Sequence, residues 1–327
     1  MKANITLPLQ RILSHSNNSE KAKKVDAYKL DNGKIVPAKE NSISEWSILP
    51  EIASLCALIY ESNNESVRFP LFNYRDHLEL VSNPIAKYEN LDKLLKKQEY
   101  ISIAKNWKRV PDIPQSPTPS GLVYAIGGLI IDVWQENTFK DQSNKYIVVF
   151  RGSDKQLNDW WTNARWLTRF IPFTWDQYRQ VIEYIELVVK HISELSPKAK
   201  IIATGHSLGG GLAHLAGYCS PKISEVYAFN SSPVTAYYSV DRDIREDGEE
   251  NLIIHRISET DEILSKSRKY INFLHQLIKI NHKHKRFYVE CNFNSDGGAV
   301  KQHNMKDLSV HLKHYFDFEL SKTTNQS

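Results

Sequence analysis

One short stretch constrains this chain more than any other: Ile201-Ile202-Ala203-Thr204-Gly205-His206-Ser207-Leu208-Gly209-Gly210-Gly211-Leu212. An apolar run leads into a Gly-x-Ser-x-Gly turn, and Gly209–Tyr218 beyond it suits a helix. A serine on so sharp a strand-to-helix turn is forced into a strained backbone region that holds its hydroxyl clear of the sheet. The flanking glycines leave room where a side chain would collide with the neighbouring helix and strand. The helix behind presents its positive end beside the serine, and its N–H groups can stabilise an oxyanion. Ser207 is therefore the candidate nucleophile, with the Leu208 N–H as one oxyanion donor.

The flanking sequence supports such a sheet. Residues 121–135 (GLVYAIGGLIIDVWQ) read as one long strand bulged at the glycine pair, and Asn144–Phe150 as its partner. Asp176–Leu195 carries Val181, Ile182, Ile185, Val188, Val189 and Ile192 on one helical face. Short apolar strands are expected at Lys200–Thr204, Glu225–Phe229 and Leu252–Ile257, and a last one at Phe287–Phe293. Strands alternating with helices predict a mostly parallel sheet covered on both faces. Upstream, Ser44–Ser62 has helical apolar spacing, with Ser47 as cap and Pro50 in the first turn. Residues 1–43 are polar and read as an extension, laid on the core or partly disordered, with one hairpin signal at Leu30–Ile35.

Two segments, TGHSLGGGLAHLAG (204–217) and IVVFRGSDKQLNDWWTNARW (147–166), resemble the class 3 lipases of the α/β-hydrolase fold. Members of that family show a G-H-S-L-G-G elbow, preceded by an apolar strand ending in F-R-G-[ST] and a nearby Asp-Trp pair. The resemblance covers about 120–310, weakens over 47–62 and is absent from the first 43 residues. It implies an α/β-hydrolase domain over 44–318 with a lid or insertion, followed by a flexible tail over 319–327. An acyl-transfer enzyme needs a second oxyanion donor from the loop after a neighbouring strand. By resemblance Ser153 supplies it, while Arg151 is structural.

A serine hydroxyl needs a histidine base oriented by a carboxylate, in the chain order Ser, acid, His for this fold. Ser258-Glu259-Thr260-Asp261-Glu262 leaves the carboxyl end of the strand at 251–257. The resemblance points to Asp261, with Glu259 and Glu262 as alternatives, because Glu262 stands where the family has proline. Of twelve histidines, His303, His311 and His314 follow the last strand in the right order. The family's base sits at a loop-to-helix junction, which is His303 here, and His311 is the alternative.

The implied activity is hydrolysis of carboxylic esters of lipids, by a phospholipase or acylglycerol lipase, with no cofactor and no metal. Trp160, Trp161, Trp166, Phe170, Phe173 and Trp175 crowd the stretch after Ser153, as an interfacial lid or as core packing. Leu264–Arg286 is basic with an apolar face and no acid, a helix that leans on an anionic membrane surface or simply covers the fold. The remaining readings are a soluble esterase or thioesterase and a catalytically silent hydrolase-fold binding module. Lys plus Arg number 42 against 38 acids, an excess too small to predict nucleic-acid binding. Three scattered cysteines suggest neither a disulfide framework nor a zinc site. With no apolar signal core and no transmembrane run, the expectation is cytoplasmic synthesis. Action elsewhere would need signal-independent export or peripheral membrane contact.

Overall fold

A computed structural model describes residues 24–31, 34–37, 47–63, 84–114, 124–126, 128–137, 144–152, 174–234, 236–260, 264, 284–293 and 303–324. The chain opens with β1 (Lys24–Asp31), β2 (Lys34–Pro37), α1 (Leu49–Leu58), α2 (Leu91–Leu95), α3 (Ile101–Asn106) and β3 (Trp107–Arg109). There follow β4 (Tyr124–Ile126), β5 (Ile131–Glu136), β6 (Lys145–Phe150), β7 (Thr174–Asp176), α4 (Gln177–Leu195), β8 (Lys200–His206) and α5 (Leu208–Cys219). The last elements are β9 (Ile223–Phe229), α6 (Arg242–Glu250), β10 (Ile253–Glu259), β11 (Lys285–Asn292) and α7 (Met305–Thr324).

Among the described residues the main sheet has nine strands in the order β2-β1-β11-β10-β9-β8-β6-β5-β3. Its centre, β6, β8, β9, β10 and β11, is parallel, and the strands at both edges are antiparallel. Parallel strands are buried on two faces, and side chains here alternate strictly between them. In β6, Tyr146, Val148 and Phe150 join a core beneath α4 and α5, whereas Ile147 and Val149 join a second core beneath α1 and α7. A parallel centre, helices on both faces and a serine turn after β8 make this an α/β-hydrolase fold.

Several expectations are refined by tertiary packing. The stretch at 121–135 is not one bulged strand. β4 pairs in parallel with β7 in a separate two-stranded sheet, and β5 pairs with β6 in the main one. At the start of β5 Ile131 also meets residues 84–86, its N–H donating to Pro84 and its carbonyl accepting from Ala86. β1 and β2, inside the expected extension, pair as a hairpin with Leu30 opposite Ile35, and β1 adds to the sheet beside β11. Ser47 does not cap α1. Ile48 occupies that position without a side-chain bond, and Pro50 stands in the first turn, where a missing N–H costs nothing. β11 begins at Lys285, so the end of the basic stretch is strand; residues 265–283 lie outside the described residues, as do 153–173 with five of the six aromatics.

Buried polar groups on the sheet are satisfied in sets. Asp132, fully buried on β5, accepts from Arg109 Nε at 2.7 Å, Tyr88 Oη at 2.8 Å and Trp134 Nε1 at 3.0 Å. On the α1 face Tyr227, His255 and Phe287 stack across β9, β10 and β11, with ring centroids 4.3 and 5.2 Å apart. Burial pushes the His255 imidazole down to about 4. An unfolded histidine titrates near ~6.5, so acid protonates the unfolded chain first. His255 therefore withdraws stability as pH falls from about 6.5 to about 4, by up to on the order of 3 kcal/mol. His255→Phe should keep the stack and flatten that part of the stability–pH curve, measured by urea denaturation at several pH values. An unchanged acid slope would refute the assignment.

Candidate active site

The parallel strands end at one edge, where β6 delivers Arg151-Gly152, β8 delivers Ser207, β9 delivers Asn230 and β10 delivers Glu259-Thr260. Carboxyl ends of parallel strands are where open α/β sheets place their ligand crevices. Ser207 stands there at φ 57° and ψ −123°, a conformation that L-residues rarely adopt. Backbone bonds clamp it from both sides. Its N–H donates to Phe229 O at 3.0 Å, and its carbonyl accepts from Ser232 N at 2.9 Å and Gly210 N at 3.1 Å. A side chain at Gly209 would run into the Phe150 carbonyl, and one at Gly205 would meet the Gly209 backbone. α5 therefore lies directly against the end of β6, closer than any other residue type allows.

Leu208 and Gly209 are the first two residues of this twelve-residue helix, so their N–H groups have no acceptor within it. With the helix dipole added, those N–H groups form a ready site for developing negative charge. Ser207 is 8% exposed and His303 3%, so the pair is nearly covered.

His303 stands two residues before the start of α7 at Met305. Asn304 fixes that junction as a cap, its Oδ1 accepting from Lys306 N at 2.9 Å and Asp307 N at 3.2 Å. The His303 ring lies 4.6 Å from the ring of His206, the residue before Ser207. His206 Nε2 is 2.8 Å from the His303 carbonyl and Nδ1 is 3.0 Å from Tyr60 Oη. Burial and the neighbouring His303 hold the His206 imidazole well below its ordinary range. His311 sits in the second turn of α7, its ring 5.6 Å from Phe293. His303 thus lies against His206, the residue before Ser207 and Leu208, while Asp261, Glu262 and Ser153 lie outside the described residues.

Glu259, the alternative acid, is inside the fold at 2% exposure, and its Oε1 accepts from Phe293 N at 2.6 Å. Its own N–H donates to Asn230 Oδ1 at 2.9 Å. Asn230 is wholly buried at φ 40°, and its N–H reaches Ile257 O at 2.8 Å. Thr260 adds N–H and hydroxyl bonds to Cys291 O at 2.7 and 2.9 Å. Together they tie the ends of β9, β10 and β11, the strands that lead towards 261 and 303. Sequence reasoning missed Asn230 and Tyr60. An asparagine directly after an apolar strand was the available sign for the first, while Tyr60 looks like one more ring on an apolar helix. Among the described residues no group of three His, Cys, Asp or Glu is placed to hold a metal ion.

The family model described as "Domain of unknown function (DUF6792)" matches residues 128–286. No curated protein matches the chain. Among solved structures, the chain resembles a deletion mutant of the Rhizomucor miehei lipase propeptide complex at 16% identity and a TM-score of 0.38, over 70% of this chain and 62% of that one. It resembles lipase II from Rhizopus niveus at 18% identity and a TM-score of 0.37, over 76% of this chain and 79% of that one. For the Pyrobaculum calidifontis esterase the figures are 10% identity, a TM-score of 0.30, and 82% and 98% coverage. Likeness this distant says nothing of substrate, and the fold class rests on the strand order and the elbow.

Backbone held in such a sparsely populated region costs on the order of 1–3 kcal/mol. Glycine lacks the Cβ that creates the cost. Ser207→Gly should therefore be more stable than Ser207→Ala by about 1 kcal/mol in urea denaturation; equal midpoints would mean that the turn is unstrained.

Proposed function

We propose that the chain is a serine hydrolase that cleaves carboxylic ester bonds of lipids, as a phospholipase or acylglycerol lipase. The observation that carries this reading is Ser207, a serine kept at φ 57° at the head of α5, next to the histidine that meets His303. A glycine would satisfy that backbone without strain, so a hydroxyl retained there is best explained by chemistry done with it.

Ser207 Oγ attacks the ester carbonyl while His303 accepts its proton. The tetrahedral oxyanion is held by the Leu208 N–H and by Ser153. The C–O bond then breaks, His303 returns the proton to the departing alcohol, and an acyl-enzyme remains. Water gives a proton to His303 and attacks the acyl carbon; the acyl–Oγ bond then breaks, His303 returns the proton to Ser207 Oγ, and the fatty acid leaves. Asp261 orients the imidazole and steadies its charged form. Every step uses groups of the chain and water alone.

The lipid preference is supported by composition near the site. The sequence holds six large aromatics between Ser153 and Asp176, a composition that suits contact with acyl chains as well as core packing. The acid-free basic stretch between Asp261 and His303 suits an anionic headgroup surface and favours phospholipid over neutral acylglycerol.

The test is fatty-acid release from mixed phospholipid and acylglycerol liposomes, beside hydrolysis of a short soluble ester. Ser207→Ala and His303→Ala should each lower liposome turnover by at least ~1,000-fold, and Asp261→Asn by on the order of 1,000-fold or more. Turnover of the soluble ester alone would move the reading to a small-substrate esterase. No turnover of either by a folded wild type would leave a binding module.

A further inference from the structure

We infer that Tyr60 and His206 are positioning residues for the base: Tyr60 fixes the tautomer of His206, and His206 holds the main chain of His303 in place. The inference rests on the proposed function, in which His303 is the base for Ser207. It begins with the bond between His206 Nε2 and the His303 carbonyl, at 2.8 Å. A carbonyl oxygen only accepts, so Nε2 must carry the hydrogen. A buried neutral imidazole has one hydrogen to place. Nδ1 is then a bare lone pair, and Tyr60 Oη, 3.0 Å away, donates to it. The same hydroxyl lies 3.3 Å from the His206 carbonyl, a second acceptor that keeps its hydrogen aimed at this residue.

Tyr60 is itself well held. Arg151, buried at the end of β6, stands 6.0 Å over its ring and donates from Nη1 to Ser62 O at 3.0 Å and Ser62 Oγ at 2.9 Å. A side chain at Gly152 would strike the Tyr60 hydroxyl and, at 2.6 Å, the His206 carbonyl. The strand end that leads to Ser153, the elbow and the base loop thus meet at one tyrosine hydroxyl and one imidazole. In the other tautomer, the Nε2 lone pair would face the carbonyl lone pairs and release the loop that carries the base. The logic is that of a carboxylate orienting a catalytic imidazole, applied here to the residue that anchors the base's own backbone.

Gln at 206 keeps an N–H near the Nε2 position and has no tautomer to choose. Phe keeps a ring and loses the donor. His206→Phe should lower kcat on the soluble or liposomal ester on the order of 100-fold with KM little changed, as a displaced catalytic group does. His206→Gln should restore kcat to within about tenfold of wild type. Tyr60→Phe should lower kcat in the wild-type background and have no further effect beside His206→Gln, a non-additivity that plain loss of packing would not produce. Independently of turnover, ¹⁵N NMR of the imidazole should find the Nε2–H form of His206 in wild type and a mixture in Tyr60→Phe.

An Nδ1–H form of His206 in wild type would overturn the relay. So would a fully active His206→Phe, or an equal effect of Tyr60→Phe in both backgrounds. If wild type hydrolyses no ester, the proposed function falls and the base has nothing to serve, whereas the tautomer measurement still decides whether Tyr60 governs His206.

Discussion

The serine turn after β8 can exist only because its backbone is held from both sides. Ser207 donates to the carbonyl end of β9 and accepts from Ser232 and from the first turn of α5. Those bonds offset a conformation that would otherwise relax. The same turn requires α5 to start hard against β6, which is why glycine occupies both 205 and 209. Three consecutive glycines would weaken an isolated helix by about 1 kcal/mol each. Here the first turn is fixed by what it touches: Phe150, Ser231, Ser232 and Tyr178. Strain at one residue and close packing at its neighbours are one feature, and the active edge is built around it.

A second layer of constraint comes from buried polar groups that join strand ends. Asn230 at φ 40° links β9 to β10, and Glu259 passes the link to the end of β11 through Phe293 N–H. On the other side, Tyr60 and His206 link α1's end and the elbow to His303. Each link buries polar atoms, which is costly unless every partner is met. The return is that the ends of β9, β10 and β11 are tied to one another, the kind of fixed geometry that acyl transfer demands.

Alternation and spacing were legible in the sequence where local physics decides. β6 and β8–β10 are apolar runs too short for helices, and α4 carries its buried stripe at helical spacing above an Asp176 cap. Less was legible where a distant partner decides. Nothing local says that 121–135 divides between two sheets, because the division shows only in the partners, β7 for β4 and β6 for β5. Nor does polar composition at 24–37 reveal a sheet edge, since an edge strand with one outer face tolerates polar residues and takes its order from β11. Tyr60 and Asn230 were missed because an uncharged polar side chain declares no role until its partner is known.

By itself the sequence determined the elbow, the order of Ser207 and its candidate partners, and a parallel sheet with helices on both faces. These follow from glycine placement, periodicity and chain order, all properties of neighbouring residues. Tertiary structure alone decided that the His303 ring stands 4.6 Å from the ring of His206, and that His206 faces the His303 carbonyl. It also decided that Glu259 bonds to the end of β11. Those outcomes depend on where strand ends some 30 to 100 residues apart are brought together, and directional bonds between buried groups select them only once the sheet has formed.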